Sequence, residues 1–143
     1  MGSKAFALVQ KSFTAESEKA FGFLTTNFEF AGPERTDEVL RGVSYARSGM
    51  RCRITLDHSE MSVMAEVEVE LDGSLMIAGL DYLVSAAEIV PGNKVPRNAY
   101  TMRNLVNALT EQAKLLRLLL PHLGQETVSG LMERAGARQW HAR

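Results

Sequence analysis

The first part of the chain repeats apolar residues at the spacing of an amphipathic helix. The repeat runs through Phe13, Ser17, Ala20, Phe21, Leu24 and Phe28. Thr14 can cap the first turn, and Gly32-Pro33 can end the helix because proline cannot continue it. The pattern therefore predicts a helix between these two points. Residues 4–12 fit both a helical turn and an alternating strand, so the pattern leaves their state open.

From residue 39 onward the apolar period changes to two, which is typical of strands with one buried face. Residues 50–57 and 63–71 alternate most clearly, and the turn-like stretch between them favours an antiparallel hairpin. A further strand is expected at 39–45, and a short one at 75–77 after the turn Asp72-Gly73-Ser74. The pattern predicts a meander of three or four strands.

The rest of the chain returns to helical spacing. A short helix is expected at 80–87, a long one at 100–120 and a last one at 128–135, which Gly136 would terminate. A helix, then consecutive strands, then helices indicate an α+β fold in which helices pack on one face of an antiparallel sheet. We expect a single domain over residues 1–136 and a flexible C-terminal tail at 137–143.

Composition narrows the class of protein. The chain has 143 residues, of which 45% are hydrophobic, so it can bury a core without disulfides or metals. Cys52 is the only cysteine, which excludes an intrachain disulfide, and its alternation with arginines predicts a buried, inert thiol. No segment has the features of a signal peptide or of a membrane span, so we expect a soluble, cytoplasmic protein.

The net charge of −1 conceals an uneven distribution of charged residues. Residues 58–90 hold seven acids and no Lys or Arg, whereas residues 91–143 hold eight basic residues and three acids. Nucleic-acid binding is disfavoured, because such domains are usually strongly basic and acids offset the arginines of this chain. The charge layout instead suggests a two-sided surface on which a charged protein partner could bind.

Three glutamates alternate along the second strand of the hairpin, so Glu66, Glu68 and Glu70 share one face. Neighbours on that face are about 6.5–7 Å apart, which an acid–base pair could use. If the hairpin folds about the middle of its turn, Arg53 lies opposite Glu66 and Arg51 opposite Glu68. On a solvated face each such pair contributes only ~0.2–1 kcal/mol, so we interpret the row as cross-strand ion pairs.

The same five side chains also form a candidate binding surface, because their charges could complement those of a protein partner.

Metal binding and catalysis have weaker signals in the sequence. His58, His122 and His141 have no further histidine at ligand spacing, so we predict no metal site. No phosphate-binding loop or nucleophile motif is present, so we predict no cofactor and no catalytic residue, while enzymatic activity stays open.

The long helix carries extra leucines near its C-terminal end. Leu115, Leu118 and Leu119 project outside its main apolar arc. Two interpretations remain open. The last helix could pack back over these residues, or they could form an interface with a partner or with a second copy of the chain.

Part of the sequence resembles a group of small, largely uncharacterised bacterial α+β proteins, some of which are described as immunity proteins that neutralise toxins. The resemblance covers roughly residues 17–90 and rests on Phe21-Gly22-Phe23-Leu24, Phe28-Glu29-Phe30, Val43-Ser44-Tyr45, Cys52-Arg53-Ile54-Thr55-Leu56-Asp57 and Val67-Glu68-Val69. It implies a stand-alone cytoplasmic protein that acts by binding, and it implies no functional residues.

Two functional hypotheses follow. The first is a non-enzymatic protein-interaction module, of the immunity type that the resemblance implies, that binds through the exposed sheet face. The second is a small-molecule binding protein or an enzyme with a pocket between the sheet and the helices, near Tyr45, Tyr82 and Tyr100. A polar cleft near these tyrosines would favour the second hypothesis, whereas a filled core would remove it.

Overall fold

A computed structural model describes residues 3–36, 41–124 and 126–141. The chain begins with helix α1, Ser3–Phe21, and a short helix α2, Phe23–Asn27. The helix thus starts well before Thr14, which lies in its interior, and residues 4–12 are helical. The cause is an apolar stripe that also includes Phe6 and Val9, both of them buried.

The helical segment also ends earlier than the sequence predicts. Gly22 separates the two helices, and Glu29, at a φ of 61°, turns the chain away from the helical path. Gly32-Pro33 does not end a helix, because it lies inside the first strand. At Gly32 φ is 128°, and a Cβ atom would lie 2.8 Å from the carbonyl oxygen of Ser44. Glycine is therefore needed here for the close approach of two strands.

Six antiparallel strands within the described ranges form one sheet whose spatial order follows the sequence. They are β1 Ala31–Thr36, β2 Arg41–Arg47, β3 Met50–Asp57, β4 Ser62–Leu71, β5 Ser74–Gly79 and β6 Arg138–His141. The antiparallel sheet and the β3–β4 hairpin are as predicted. The sheet has six strands rather than three or four, because each end of the meander gains a strand that the alternation pattern did not reveal.

The two added strands lie at the edges of the sheet. All six residues of β1 are exposed, so this strand has no apolar alternation to detect. Strand β6 pairs with β5 from Ser74↔His141 to Ile77↔Arg138, within the segment expected to be a flexible tail. Residues 142 and 143 of that segment, and residues 39 and 40 of the predicted strand 39–45, lie outside the described residues.

The later helices follow the sequence pattern closely. Helix α3 is Leu80–Ala86, α4 is Met102–Leu119 and α5 is Val128–Arg134, with 3-10 turns at Gly92–Lys94 and Leu120–Leu123. Gly136, at a φ of 68°, follows the last turn of α5, and its N–H donates to the carbonyl of Glu133. The N–H of Ala137 donates to Met132, which completes a Schellman motif.

The core lies between one face of the sheet and helices α1, α3 and α4. Cys52, Ile54 and Leu56 of β3 are fully buried, while the residues between them are partly exposed. Helix α4 also buries Gln112, whose side chain accepts a hydrogen bond from the N–H of Ala65. The second face of the sheet points away from this core and carries most of its charged residues.

Candidate functional site

The second face of the sheet, which we call the open face, is formed by alternate residues of the central strands. It comprises Arg51, Arg53, Thr55, Asp57, Met64, Glu66, Glu68, Glu70, Leu75 and Ile77. The backbone register pairs Arg51 with Glu68 and Arg53 with Glu66, as the hairpin prediction required. The open face therefore brings together all five charged residues that the sequence singled out.

The ion pairs between these side chains follow the backbone register only in part. Arg53 Nη1 lies 2.6 Å from Glu68 Oε1, and Arg51 Nε lies 3.9 Å from Glu68 Oε2, so two arginines converge on one carboxylate. Glu66 instead pairs with Arg138 of β6, at 3.1 Å. Arg53 was expected to pair with Glu66 but pairs diagonally with Glu68, because the guanidinium of Arg138 on β6 occupies Glu66. Arg138 belongs to the segment that we expected to be a flexible tail.

Glu68 is the most enclosed of the three glutamates. It is 8% exposed, whereas Glu70 lies at the surface. Arg51 also contacts Glu34 of β1 at 3.3 Å and the hydroxyl of Ser44 at 3.2 Å, so the charged network reaches across four strands. The face is not uniformly solvated, contrary to the expectation for the glutamate row.

A cleft of about 750 Å³ lies at one end of the open face. Its floor is formed by β3, β4 and β5, with Met64 and Ile77 as its half-buried apolar residues. Its walls come from the start of α3, from Arg97 in the loop before α4, and from Arg138 at the start of β6. Segments far apart in the sequence thus meet around one concave surface, the usual setting for ligand binding.

Three carboxylates and two guanidiniums line the cleft. Arg138 pairs with Glu66, and Arg97 Nη1 lies 3.9 Å from Asp81 Oδ2. Asp57 is held by the β3–β4 turn, because its Oδ1 accepts from the N–H of Ser59 at 3.0 Å and from the N–H of Glu60 at 3.1 Å. These bonds, led by the one from Glu60, lower the pKa of Asp57 below its ordinary value.

Glycines allow the wall of the cleft to pack closely around Asp81. A Cβ atom at Gly79 would lie 2.6 Å from Asp81 Oδ1, and one at Gly92 would lie 2.8 Å from the Asp81 carbonyl oxygen. Strand alternation places Asp57 on the open face, but no local pattern links it to Arg97 or to Arg138. Sequence reasoning therefore missed the cleft, because its walls depend on tertiary packing of loop and tail segments.

The three tyrosines of the second hypothesis do not share a pocket. Tyr45 is 1% exposed in the core, and burial raises its pKa to about 12. Tyr82 is 64% exposed and lines the cleft, while Tyr100 lies outside it. Cys52 is buried as predicted, and burial raises the pKa of its thiol to about 12, so it stays protonated at neutral pH.

The three leucines of α4 occupy different environments. Leu119 is fully buried, Leu115 is partly buried and Leu118 is 57% exposed. Helix α5 packs against α3, β5 and the 3-10 turn after α4, with Val128 and Leu131 buried. Leu118 is thus the member of the predicted helix interface that could reach a partner.

Comparison with known proteins gives no match: no family model fits the chain, and no curated protein or solved structure is significantly similar to it. Within the described ranges, no helix combines the length and the apolarity that crossing a membrane requires. The same ranges contain no group of three or more His, Cys, Asp or Glu residues arranged to hold a metal ion.

Proposed function

We propose that this protein is a non-enzymatic protein-interaction module that binds its partner through the open face. The observation that carries the proposal is the Arg–Glu network of that face, in which the guanidiniums of Arg51 and Arg53 lie 3.9 and 2.6 Å from the Glu68 carboxylate. Side chains fixed before binding lose little further entropy on association, so a rigid charged surface favours a specific complex.

The network leaves charge available to a partner. The side chains of Arg51 and Arg53 are each 36% exposed, and a guanidinium has more donors than these ion pairs use. Glu70 is exposed beside them. A partner with an opposing arrangement of acidic and basic groups would therefore find both signs in a fixed register, which supports selection among partners more than affinity alone.

The resemblance to immunity proteins suggests the kind of partner. Proteins of that kind act by binding a toxin rather than by catalysis, which agrees with a surface of paired charges. We therefore propose a toxin-like protein as the partner, and an immunity-type role for this chain. A toxin gene beside the gene for this chain would support this part of the proposal directly.

The test is capture of a partner by the full chain immobilised on beads, from a lysate of its native host. The variant carries Glu70→Lys. Glu66 and Glu68 are left unchanged, because reversal of either would place three cations together and disturb the fold. We expect the affinity for the captured protein to fall by about tenfold or more, since like charges across an interface are strongly unfavourable.

A matched control carries Glu16→Lys, which changes the net charge equally but lies on α1 in the opposite layer. The control is expected to bind as the unchanged chain does. Recovery of no partner, or equal binding by the open-face variant, would overturn the proposal.

The cleft favours a second candidate, the binding or conversion of a small molecule. Its volume of about 750 Å³ is within the range of small-molecule sites. A small ligand would raise the melting temperature of the isolated chain, whereas the first candidate requires a protein partner. Thermal unfolding with a panel of metabolites distinguishes the two.

A further inference from the structure

The cleft combines three features that few ligands satisfy together. Its floor contains the apolar side chains of Met64 and Ile77, one wall exposes the ring of Tyr82, and carboxylates stand at its edges. A long basic side chain has the matching parts, because its aliphatic stem packs on apolar surface while its charged end reaches acidic groups. The face of an aromatic ring also attracts such a cation.

The charges of the cleft are not balanced. Arg138 and Arg97 face Glu66 and Asp81, so each cation of the cleft has a carboxylate beside it. Asp57 is the third carboxylate, and no Lys or Arg in the described ranges lies within ion-pair distance of it. The hydrogen bonds that hold it all reach Oδ1, which leaves Oδ2 able to accept another donor.

We propose that the cleft receives a lysine or arginine side chain of the protein partner, with its stem on Met64 and its cation at Asp57, which lie on neighbouring strands one open-face pair apart in the register. This inference rests on the proposed function and names the chemistry of the contact. An acidic side chain is the wrong occupant, because three carboxylates face two arginines that are already next to carboxylates. A neutral apolar side chain would use the floor and leave the charge of Asp57 without a cation.

The test uses the full chain labelled with ¹⁵N and three small probes: the amides of Nα-acetyl-arginine, Nα-acetyl-glutamate and Nα-acetyl-norleucine. Addition of the arginine probe is expected to shift the backbone resonances of Thr55, Asp57 and Met64 in a saturable manner. The glutamate and norleucine probes are expected to shift them far less, because they lack the cation.

The variant is Asp57→Asn, which removes the charge but keeps the oxygen that accepts the hydrogen bonds of the turn. It is expected to weaken binding of the arginine probe about threefold to fivefold, the size of one exposed ion pair. Asp72→Asn is the control, because Asp72 is an exposed carboxylate of the β4–β5 turn outside the cleft. This control should leave binding unchanged.

The outcomes separate this inference from the function on which it rests. Absence of a saturable shift up to the solubility limit of the arginine probe, or equal shifts with the norleucine probe, overturns the inference. So does a captured partner that binds the Asp57→Asn variant as well as the unchanged chain, although the interaction module then stands. Binding of the arginine probe without any captured partner supports the cleft chemistry and counts against the proposed function.

Discussion

Glu68 shows how neighbours decide the role of a single side chain. Glu66, Glu68 and Glu70 occupy equivalent positions on one strand, yet only Glu68 has two arginines directed at it and is 8% exposed. A partly enclosed carboxylate that neutralises two cations contributes more to stability than an exposed ion pair does. The three glutamates are therefore not interchangeable.

Replacement of Glu68 by Gln is expected to lower the free energy of unfolding by about 1–2 kcal/mol, because the change removes the charge that holds Arg51 and Arg53 together. The matched change Glu70→Gln removes an exposed charge from the same strand face and should cost less than about 0.5 kcal/mol. Urea unfolding of both variants measures the difference. Equal midpoints for the two variants would contradict this account of Glu68.

At the scale of elements, Gln112 joins α4 to the part of β4 that β5 does not reach. Pairing of β4 with β5 begins at Glu66↔Gly79, and before that point a loop segment lies along β4: Asn98 forms a bridge with Ser62, and the N–H of Val63 donates to the carbonyl of Arg97. The Gln112 side chain accepts from the N–H of Ala65 at 2.9 Å and donates to the carbonyl of Val63 at 3.0 Å. For the N–H of Ala65 and the carbonyl of Val63, it supplies the hydrogen bonds that a neighbouring strand would make.

Replacement of Gln112 by Leu is expected to destabilise the fold by about 2–4 kcal/mol, although Leu has a similar volume. The change leaves the N–H of Ala65 and the carbonyls of Val63 and Pro96 without this partner in a buried region. Hydrogen exchange at the Ala65 amide should accelerate in the variant. Asn107→Leu, on the exposed side of the same helix, is the control, and an equal loss in both variants would refute the bridging role.

Gln112 also illustrates which parts of the fold the sequence pattern could not predict. Periodicity located α3, α4, α5 and the β3–β4 hairpin, including its register, because each buries a regular apolar face. It missed β1, which buries nothing, and β6, which is defined by backbone pairing to β5. A single glutamine on an apolar helix face gives no local sign that its amide completes a sheet.

The candidate site, like the fold, could be predicted from the sequence only in part. Strand alternation predicted that Arg51, Arg53 and the three glutamates share a face, and the structure confirms this arrangement. The cleft was not predictable, because Arg97 and Arg138 reach it from segments whose position depends on the whole fold. Local patterns identify which face of a strand a residue occupies, whereas tertiary packing decides which faces meet.

At the scale of the whole molecule, the core holds two weak acids in protonated form. Burial raises the pKa of Cys52 from 9.0 to about 12 and that of Tyr45 from 10.0 to about 12. In the unfolded chain both groups return to their ordinary values. The folded state therefore keeps these protons at a pH at which the unfolded state has released them, so alkaline conditions favour unfolding.

The free energy of unfolding is expected to fall from about pH 9 because of Cys52 and from about pH 10 because of Tyr45, in both cases up to about pH 12, by up to about 1.4 kcal/mol per pH unit for each group. Tyr45→Phe and Cys52→Ala should each make this decline less steep, because each removes one proton from the difference between the states. Tyr82→Phe is the control, since Tyr82 is 64% exposed and should leave the slope unchanged. Urea unfolding at a series of pH values measures the slopes, and a decline that is equally steep in all four proteins would show that neither buried group drives alkaline unfolding.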